Sequence, residues 1–252
     1  MIQSVDRALE VLIYLHEVGK EVGITQIAND LDIYKSTVHR TLITLEKRGF
    51  VKKNTETDKY WLGARLFSMG KSVEKNMGIQ EIMRPFARQL KDEFDEVVNI
   101  SILERNIDDV YRSVIILKEQ SEGKILTANP PVGSRNFCHT SSIGKCLLAF
   151  GEDIDLSVYE EKGFVTYTKN TITSVDDFKE ILGEVKRNGY AVDNEELEEG
   201  LSCIGAPILD KRGYALAAIS LSGPTSRIMN ADFEKRIQGV CRIARMISNS
   251  LN

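Results

Sequence analysis

Two stretches concentrate side chains able to do chemistry. The first, YKSTVHRTLITLEKRGF (Tyr34 to Phe50), crowds Lys35, Ser36, Thr37, His39 and Arg40 into its opening turns and then becomes apolar at helical spacing. Hydroxyls and backbone amides at a helix start hold phosphate oxygens, a lysine beside them adds charge, and an arginine one turn on reaches a base edge in a DNA major groove. On that reading Lys35, Ser36 and Thr37 position the helix, Arg40 reads sequence, and His39 and Thr44 are secondary readers. Lys52, Lys53 and Lys59 suit a neighbouring stretch of backbone or minor groove, and Arg7, Thr25 and Gln26 are further phosphate-contact candidates. The second stretch, HTSSIGK (His139 to Lys145), invites a phosphate-loop reading. A nucleotide-hydrolysing loop needs glycine where His139 stands and Ser or Thr where Cys146 stands, so that activity is rejected. What survives is a hydroxyl-rich helix start whose amides at Ser142, Ile143 and Gly144 suit a carboxylate, with an ordinary capped helix as the plainer alternative.

Positioning the first stretch takes local elements. Ser4 is expected to cap a helix with Val5, Leu9, Leu12 and Leu15 on its core face and charge opposite. A short second helix, TQIANDL, takes Thr25 as its N-cap. The opening segment then forms a third helix, with Val38, Leu42 and Leu45 inward, ending at Gly49. Two strands, FVKK and KYWL, flank the turn-forming loop NTETD. A short helix, a tight turn, a hydroxyl- and cation-rich helix and a hairpin with lysines make a winged helix-turn-helix, which outweighs the reading of a merely solvated face. The helix ARLFSMGKSVEK follows, with Leu66, Met69 and Val73 in a stripe that needs a partner.

From Ile79 the pattern changes to a helix starting at Pro85, then VVNISILE, DDVYRSVIIL and GKILTA as strands, helix SIGKCLLAF and a helix capped by Ser174. Strands CIGAPILD and YALAAISLSG follow across the turn DKRG, and an amphipathic helix runs from about Asn230 to Leu251. The predicted fold class is α+β, with an antiparallel sheet flanked by helices in the larger part.

The 252 residues suffice for two unequal domains. No apolar run approaches the ~20 residues of a membrane helix and the amino terminus lacks signal-peptide character, so a cytoplasmic location without membrane association is expected. Four sparse cysteines, Cys138, Cys146, Cys203 and Cys241, fit reduced thiols better than a disulfide framework. The net charge of -4 hides an island: from Tyr34 to Lys53 six cations meet one acid, Glu46.

The strings SVDRALEVL, ITQIANDLDIYKSTVHRTLITLEKRGFV, YWLGARLFSMG, CHTSSIGKCLLAF, GYAVDNEE and GLSCIGAPILDKRGYALAAISLSGP, in that order, resemble the IclR family of transcriptional regulators across nearly the whole chain. The resemblance implies a winged helix-turn-helix domain over 1–63, a linker helix over 64–78 and a GAF/PAS-like effector-binding domain over 79–252. It implies a homodimer or homotetramer on a pseudopalindromic double-stranded DNA operator, with RNA polymerase as a further candidate partner. The implied function is repression of a catabolic operon by sensing a small organic acid, with activation as the alternative. Ser142, Ile143, Asp193 and Cys203 match the family's ligand pocket, and Ile125, Ala128, Asn136 and Leu201 are candidate walls. Asn136 and Ser142 are polar where a binder of two- or three-carbon acids would be apolar or tiny, which leaves a larger or more hydroxylated ligand open. The acids Glu195, Glu196, Glu198 and Glu199 read as a solvated loop. No cofactor and no metal is expected, although Cys138, His139, Asp193 and Cys203 leave a metal open. A thiol enzyme using Cys203 with His139 as base is the outlying alternative.

Overall fold

Three helices and a hairpin account for the first sixty residues. The computed structural model describes residues 2–105, 110–120 and 130–252, and its contacts divide into two units, Met1–Gly78 and Ile79–Asn252. In the first, α1 (Gln3–Val18), α2 (Ile24–Asp30) and α3 (Lys35–Lys47) enclose Val11, Leu15, Ile27, Val38 and Leu42. Strands β1 (Val51–Lys53) and β2 (Tyr60–Leu62) pair antiparallel, and Val22 bridges to Tyr60. Helix α3 stops at Arg48, with Gly49 at φ 76° turning the chain into β1. Helix α4 (Ala64–Met77) follows and ends at Gly78 in a left-handed conformation.

Two expected caps are not caps. Helix α1 begins at Gln3 after Ile2, which places Ser4 inside it; α2 begins at Ile24 after Gly23, which places Thr25 in its first turn. The face assigned to α1 also needs correction. Val11 and Leu15 point inward, whereas Val5 and Leu9 are each 53% exposed and Ile2 and Ile13 lie with them outside. Residues 2, 5, 9 and 13 form a second apolar stripe beside the core-facing one, so the outer face is not simply charged.

The second unit is a six-stranded antiparallel sheet in the order β5-β4-β3-β8-β7-β6. Its strands are β3 (Val97–Glu104), β4 (Arg112–Glu119), β5 (Arg135–Phe137), β6 (Ala191–Asn194), β7 (Leu201–Leu209) and β8 (Ala215–Pro224). Successive side chains alternate between sheet faces. Val98, Ile100, Ile204, Ile219 and Leu221 project to one face, which packs on α5 (Ile79–Phe94) and α10 (Phe233–Leu251). Helices α6 (Ser142–Ala149), α7 (Ser157–Lys162) and α8 (Val175–Asn188) cover the other side, and α9 (Thr225–Ile228) follows β8. Ser174 caps α8 by accepting from the Asp177 amide.

Pro85 lies well inside α5 rather than at its start. Gly78 resets the chain and lets a helix begin at Ile79; Pro85 then occupies the exposed side, where water can take up the carbonyl its missing amide leaves. The expected strand GKILTA lies outside the described residues. Among the described residues no helix is long and apolar enough to cross a membrane.

Candidate functional site

The first unit presents α3 as expected. Lys35, Ser36, His39, Arg40 and Thr44 are exposed and Thr37 half-buried, while Val38, Leu42 and Leu45 hold the inner face. Tyr34 at the N-cap supplies no side-chain acceptor, so the first α3 amides keep the partnerless character that suits a phosphate. Arg40 and Thr44 border a groove between α1 and α3, and the Thr44 hydroxyl donates to the Arg40 carbonyl at 2.9 Å. Thr25 and Gln26 are exposed in the first turn of α2. Gln26 also hydrogen-bonds Tyr14, whose phenol lies 2.5 Å from Asp30; burial and that carboxylate push Tyr14 up to about 12.

The wing is held in place. Asn54 and Thr57 both donate to the Glu21 carboxylate, at 3.0 and 3.2 Å. Lys52 and Lys59 are exposed, but Lys53 pairs with Asp58 at 2.6 Å, and that partner raises its pKa. The charge expected of Lys53 is therefore partly compensated locally, by an acid five residues on across the hairpin loop.

In the second unit a cavity of about 570 Å³ opens between the sheet and the start of α6. Asn136, Ser142, Ile143, Asp193, Leu201 and Cys203 all line it, from β5, α6, β6 and β7. Ile125 and Ala128 lie outside the described residues. Strand register explains the convergence: Asp193 sits opposite Cys203, Cys203 opposite Ser222, and Gly205 opposite Ser220. Gly205 is required here, because a Cβ on it would meet Ser142 backbone atoms at 2.9 Å; only a bare strand lets α6 come this close. Ser141 caps α6 by accepting from Gly144, so the expected Gly144 amide is already used and the Ser142 and Ile143 amides remain.

Behind Asp193 stands a pair that spacing could not reveal. Lys145, 2% exposed, donates from Nζ to Glu196 Oε1 at 2.6 Å and to the Val192 carbonyl at 2.5 Å. Glu196 is buried, which corrects its reading as part of a solvated loop; Glu198 and Glu199 are exposed and Glu195 half-buried. The reason is geometric. Glu195 takes a left-handed turn (φ 59°), the Thr171 hydroxyl holds the Glu196 carbonyl at 2.7 Å, and the Glu196 amide donates to Asp193 Oδ1 at 2.9 Å. Burial first, and the Glu196 charge second, push Asp193 up to about 7.

The IclR helix-turn-helix domain family matches residues 4–55, and the bacterial transcriptional regulator IclR C-terminal family matches residues 71–249. The HTH-type transcriptional regulator BhcR of Paracoccus denitrificans is 36% identical over 248 residues, covering 98% of this chain and 86% of its own. The transcriptional repressor IclR of Escherichia coli is 33% identical over 228 residues, covering 90% and 82%. The chain is a DNA-binding transcriptional regulator of the IclR family. Its fold agrees with an IclR-type regulator from Alicyclobacillus acidocaldarius at TM-score 0.81 and 25% identity over the whole of both chains. It also agrees with an IclR homolog from Microbacterium hydrocarbonoxydans, solved with 4-hydroxybenzoate, at TM-score 0.76 and 21% identity over 97% and 98%.

Within this IclR-family fold the thiol-enzyme geometry is not assembled. His139 is buried among Tyr159, Phe164 and Phe178, with its Nε2 3.0 Å from the Val165 carbonyl, and is not among the residues lining the cavity. Burial lowers its pKa; burial and the Asp193 charge push the Cys203 thiol well up, away from the nucleophilic thiolate. Among the described residues no group of three or more His, Cys, Asp or Glu side chains could hold a metal. The residues missed from sequence are Lys145, Glu196 and the strand floor of the cavity, chiefly Asn99, Ser101, Ser113, Ser220 and Ser222.

Proposed function

We propose that this regulator is a ligand-responsive repressor in which a small organic acid occupies the cavity of the second unit and changes operator affinity. One observation carries the sensor reading: the Ser142 and Ile143 amides at the start of α6 meet the buried Asp193 at an open cavity of about 570 Å³. A helix start favours a carboxylate, and an acid held near neutrality can donate to a ligand oxygen. In this reading residues 1–63 bind DNA, α4 carries the response, and residues 79–252 bind the effector. The ligand of the Microbacterium homolog, a carboxylic acid, is in keeping with that class. A useful switch needs about 5- to 150-fold between the two states.

Gel-shift titration of a fragment from the gene's own neighbourhood tests it: a carboxylic acid that raises melting temperature should also change operator affinity. Failure to shift any such fragment, with or without acids, removes the proposal. Arg40→Ala is expected to weaken operator binding by about 1–3 kcal/mol and relax preference at one base pair. Unaltered base preference in a competition titration takes Arg40 out of the reading role.

The reading includes a homodimer. Val5 and Leu9, both 53% exposed, lie with Ile2 and Ile13 on the outer stripe of α1, and Phe67, Met69 and Val73 are exposed on α4. An exposed apolar stripe along a helix, such as residues 2, 5, 9 and 13 of α1, suits an interaction site. Val5→Glu with Leu9→Glu is expected to yield monomers in sedimentation velocity while the melting of the second unit stays put; a persisting dimer places the interface elsewhere.

A further inference from the structure

We infer that the cavity selects a polyhydroxylated carboxylic acid, a sugar acid of the aldonate type, over short 2-oxo acids and aromatic acids. The inference rests on the sensor reading above and narrows it. Strand alternation supplies the first observation. Asn99 and Ser101 on β3, Ser113 on β4, Asn136 on β5, and Ser220 and Ser222 on β8 all line the cavity. On the opposite sheet face β3 and β8 carry Val98, Ile100, Ile219 and Leu221, as packing requires. Strands favour β-branched and aromatic residues, and Asn is depleted from them. Packing alone therefore gives no reason for a floor of small hydroxyls and amides.

The second observation is that this polar face is buried yet incompletely paired. Asn99 is 5% exposed, and Ser101 and Ser142 1% each. The Ser220 and Ser222 hydroxyls meet at 3.2 Å, but Asn99 Oδ1, Ser101 Oγ and Ser142 Oγ have no hydrogen-bond partner among the described residues. Buried polar groups are ordinarily paired, and leaving one unpaired costs stability. A ligand bearing several hydroxyls completes the set once these side chains turn their polar atoms into the cavity that they line. A short 2-oxo acid at the α6 end brings too few oxygens to reach the floor, and an aromatic ring, though it could pack on Ile115, Leu197 and Leu201, would leave the unpaired oxygens unmet.

Charge sets the remainder of the ligand. Asp193, Glu198 and Glu199 line the cavity, and no Lys or Arg does so among the described residues. One carboxylate can rest on the Ser142 and Ile143 amides, while a second anionic group would face Asp193, Glu198 and Glu199, with Lys145 behind them already paired to Glu196. Hydroxyls are donors as well as acceptors, so they suit both the carboxylates at the rim and the amide oxygen of Asn99. The geometry points to one carboxylate and a chain of hydroxyls.

The test uses the full-length protein with gluconate and galactonate, pyruvate, 4-hydroxybenzoate, and sorbitol as the uncharged counterpart, followed by calorimetry and thermal melting. At least one aldonate is expected to bind about tenfold or more tighter than pyruvate, 4-hydroxybenzoate and sorbitol. Ser101→Ala and Asn99→Leu are each expected to weaken the aldonate about tenfold, the loss of roughly one hydrogen bond. Their ligand-free melting temperatures check the fold; should Asn99→Leu fail to fold, Ser101→Ala and the order of preference still decide. Tighter binding of pyruvate or 4-hydroxybenzoate, with both variants neutral, overturns the sugar-acid inference and leaves the sensor reading standing. Tighter binding of sorbitol overturns the carboxylate part, and no response to any acid overturns both readings.

Discussion

Lys145→Met is expected to destabilise the second unit by about 3–5 kcal/mol, and the double variant Lys145→Met with Glu196→Leu to recover most of that loss. Removing one partner of a buried ion pair strands the other charge, whereas replacing both by apolar groups of similar size is close to neutral. Here the stranded charge is Glu196, whose amide already donates to Asp193. With lysine gone, two carboxyl groups face each other inside the protein without a cation. Urea unfolding measures the effect, and the chain carries an internal control. Its one tryptophan, Trp61, lies in the first unit, so tryptophan emission reports that unit while circular dichroism follows both. The single variant should move only the second transition. A single variant as stable as wild type would mean that Glu196 escapes to water, and the pair would then hold nothing in place.

That pair also shows where sequence reasoning stops. Lys145 and Glu196 are 51 residues apart, and each belongs to a string with a plausible local meaning, a loop-like SIGK and an acidic run. Elements governed by local chemistry were legible. The inward Val38, Leu42 and Leu45 of α3, the hairpin between Val51 and Leu62 and the Ser174 cap all follow from periodicity, turn residues and a hydroxyl in the right place. The cavity floor was not legible, because it depends on which strands neighbour which. Asn99 meets Ser220 only through the β3–β8 pairing, and neither residue carries a signal of its own. Strands β5 and β6, three and four residues long, are too short to show a period of two. Family resemblance supplied Asp193 and Cys203; their register as opposed residues on β6 and β7 is the physical reason they line one stretch of the cavity.

Asp193→Asn is expected to stabilise the protein at pH 8 and to blunt its response to the effector. In the folded state burial and Glu196 hold Asp193 up at about 7, against an ordinary 3.8. Between those values the folded chain keeps a proton that the unfolded chain releases, so this group makes stability fall as pH rises from about 4 to 7, after which its contribution is flat. At roughly 1.4 kcal/mol per pH unit the full penalty is of order 4 kcal/mol. Asparagine removes the titration while its side-chain oxygen can still accept from the Glu196 amide, now 2.9 Å from Asp193 Oδ1. The difference in unfolding free energy between wild type and variant should therefore be small near pH 4 and grow in favour of asparagine through pH 7. A difference independent of pH would show that Asp193 is ionised throughout. The same proton governs the ligand: a carboxylate placed beside Asp193 binds best while that acid is neutral, so affinity should fall up to about tenfold per pH unit above 7, and the fall should vanish in the asparagine variant. The two pH profiles, one of stability and one of ligand affinity, separate the acid's structural cost from its part in binding.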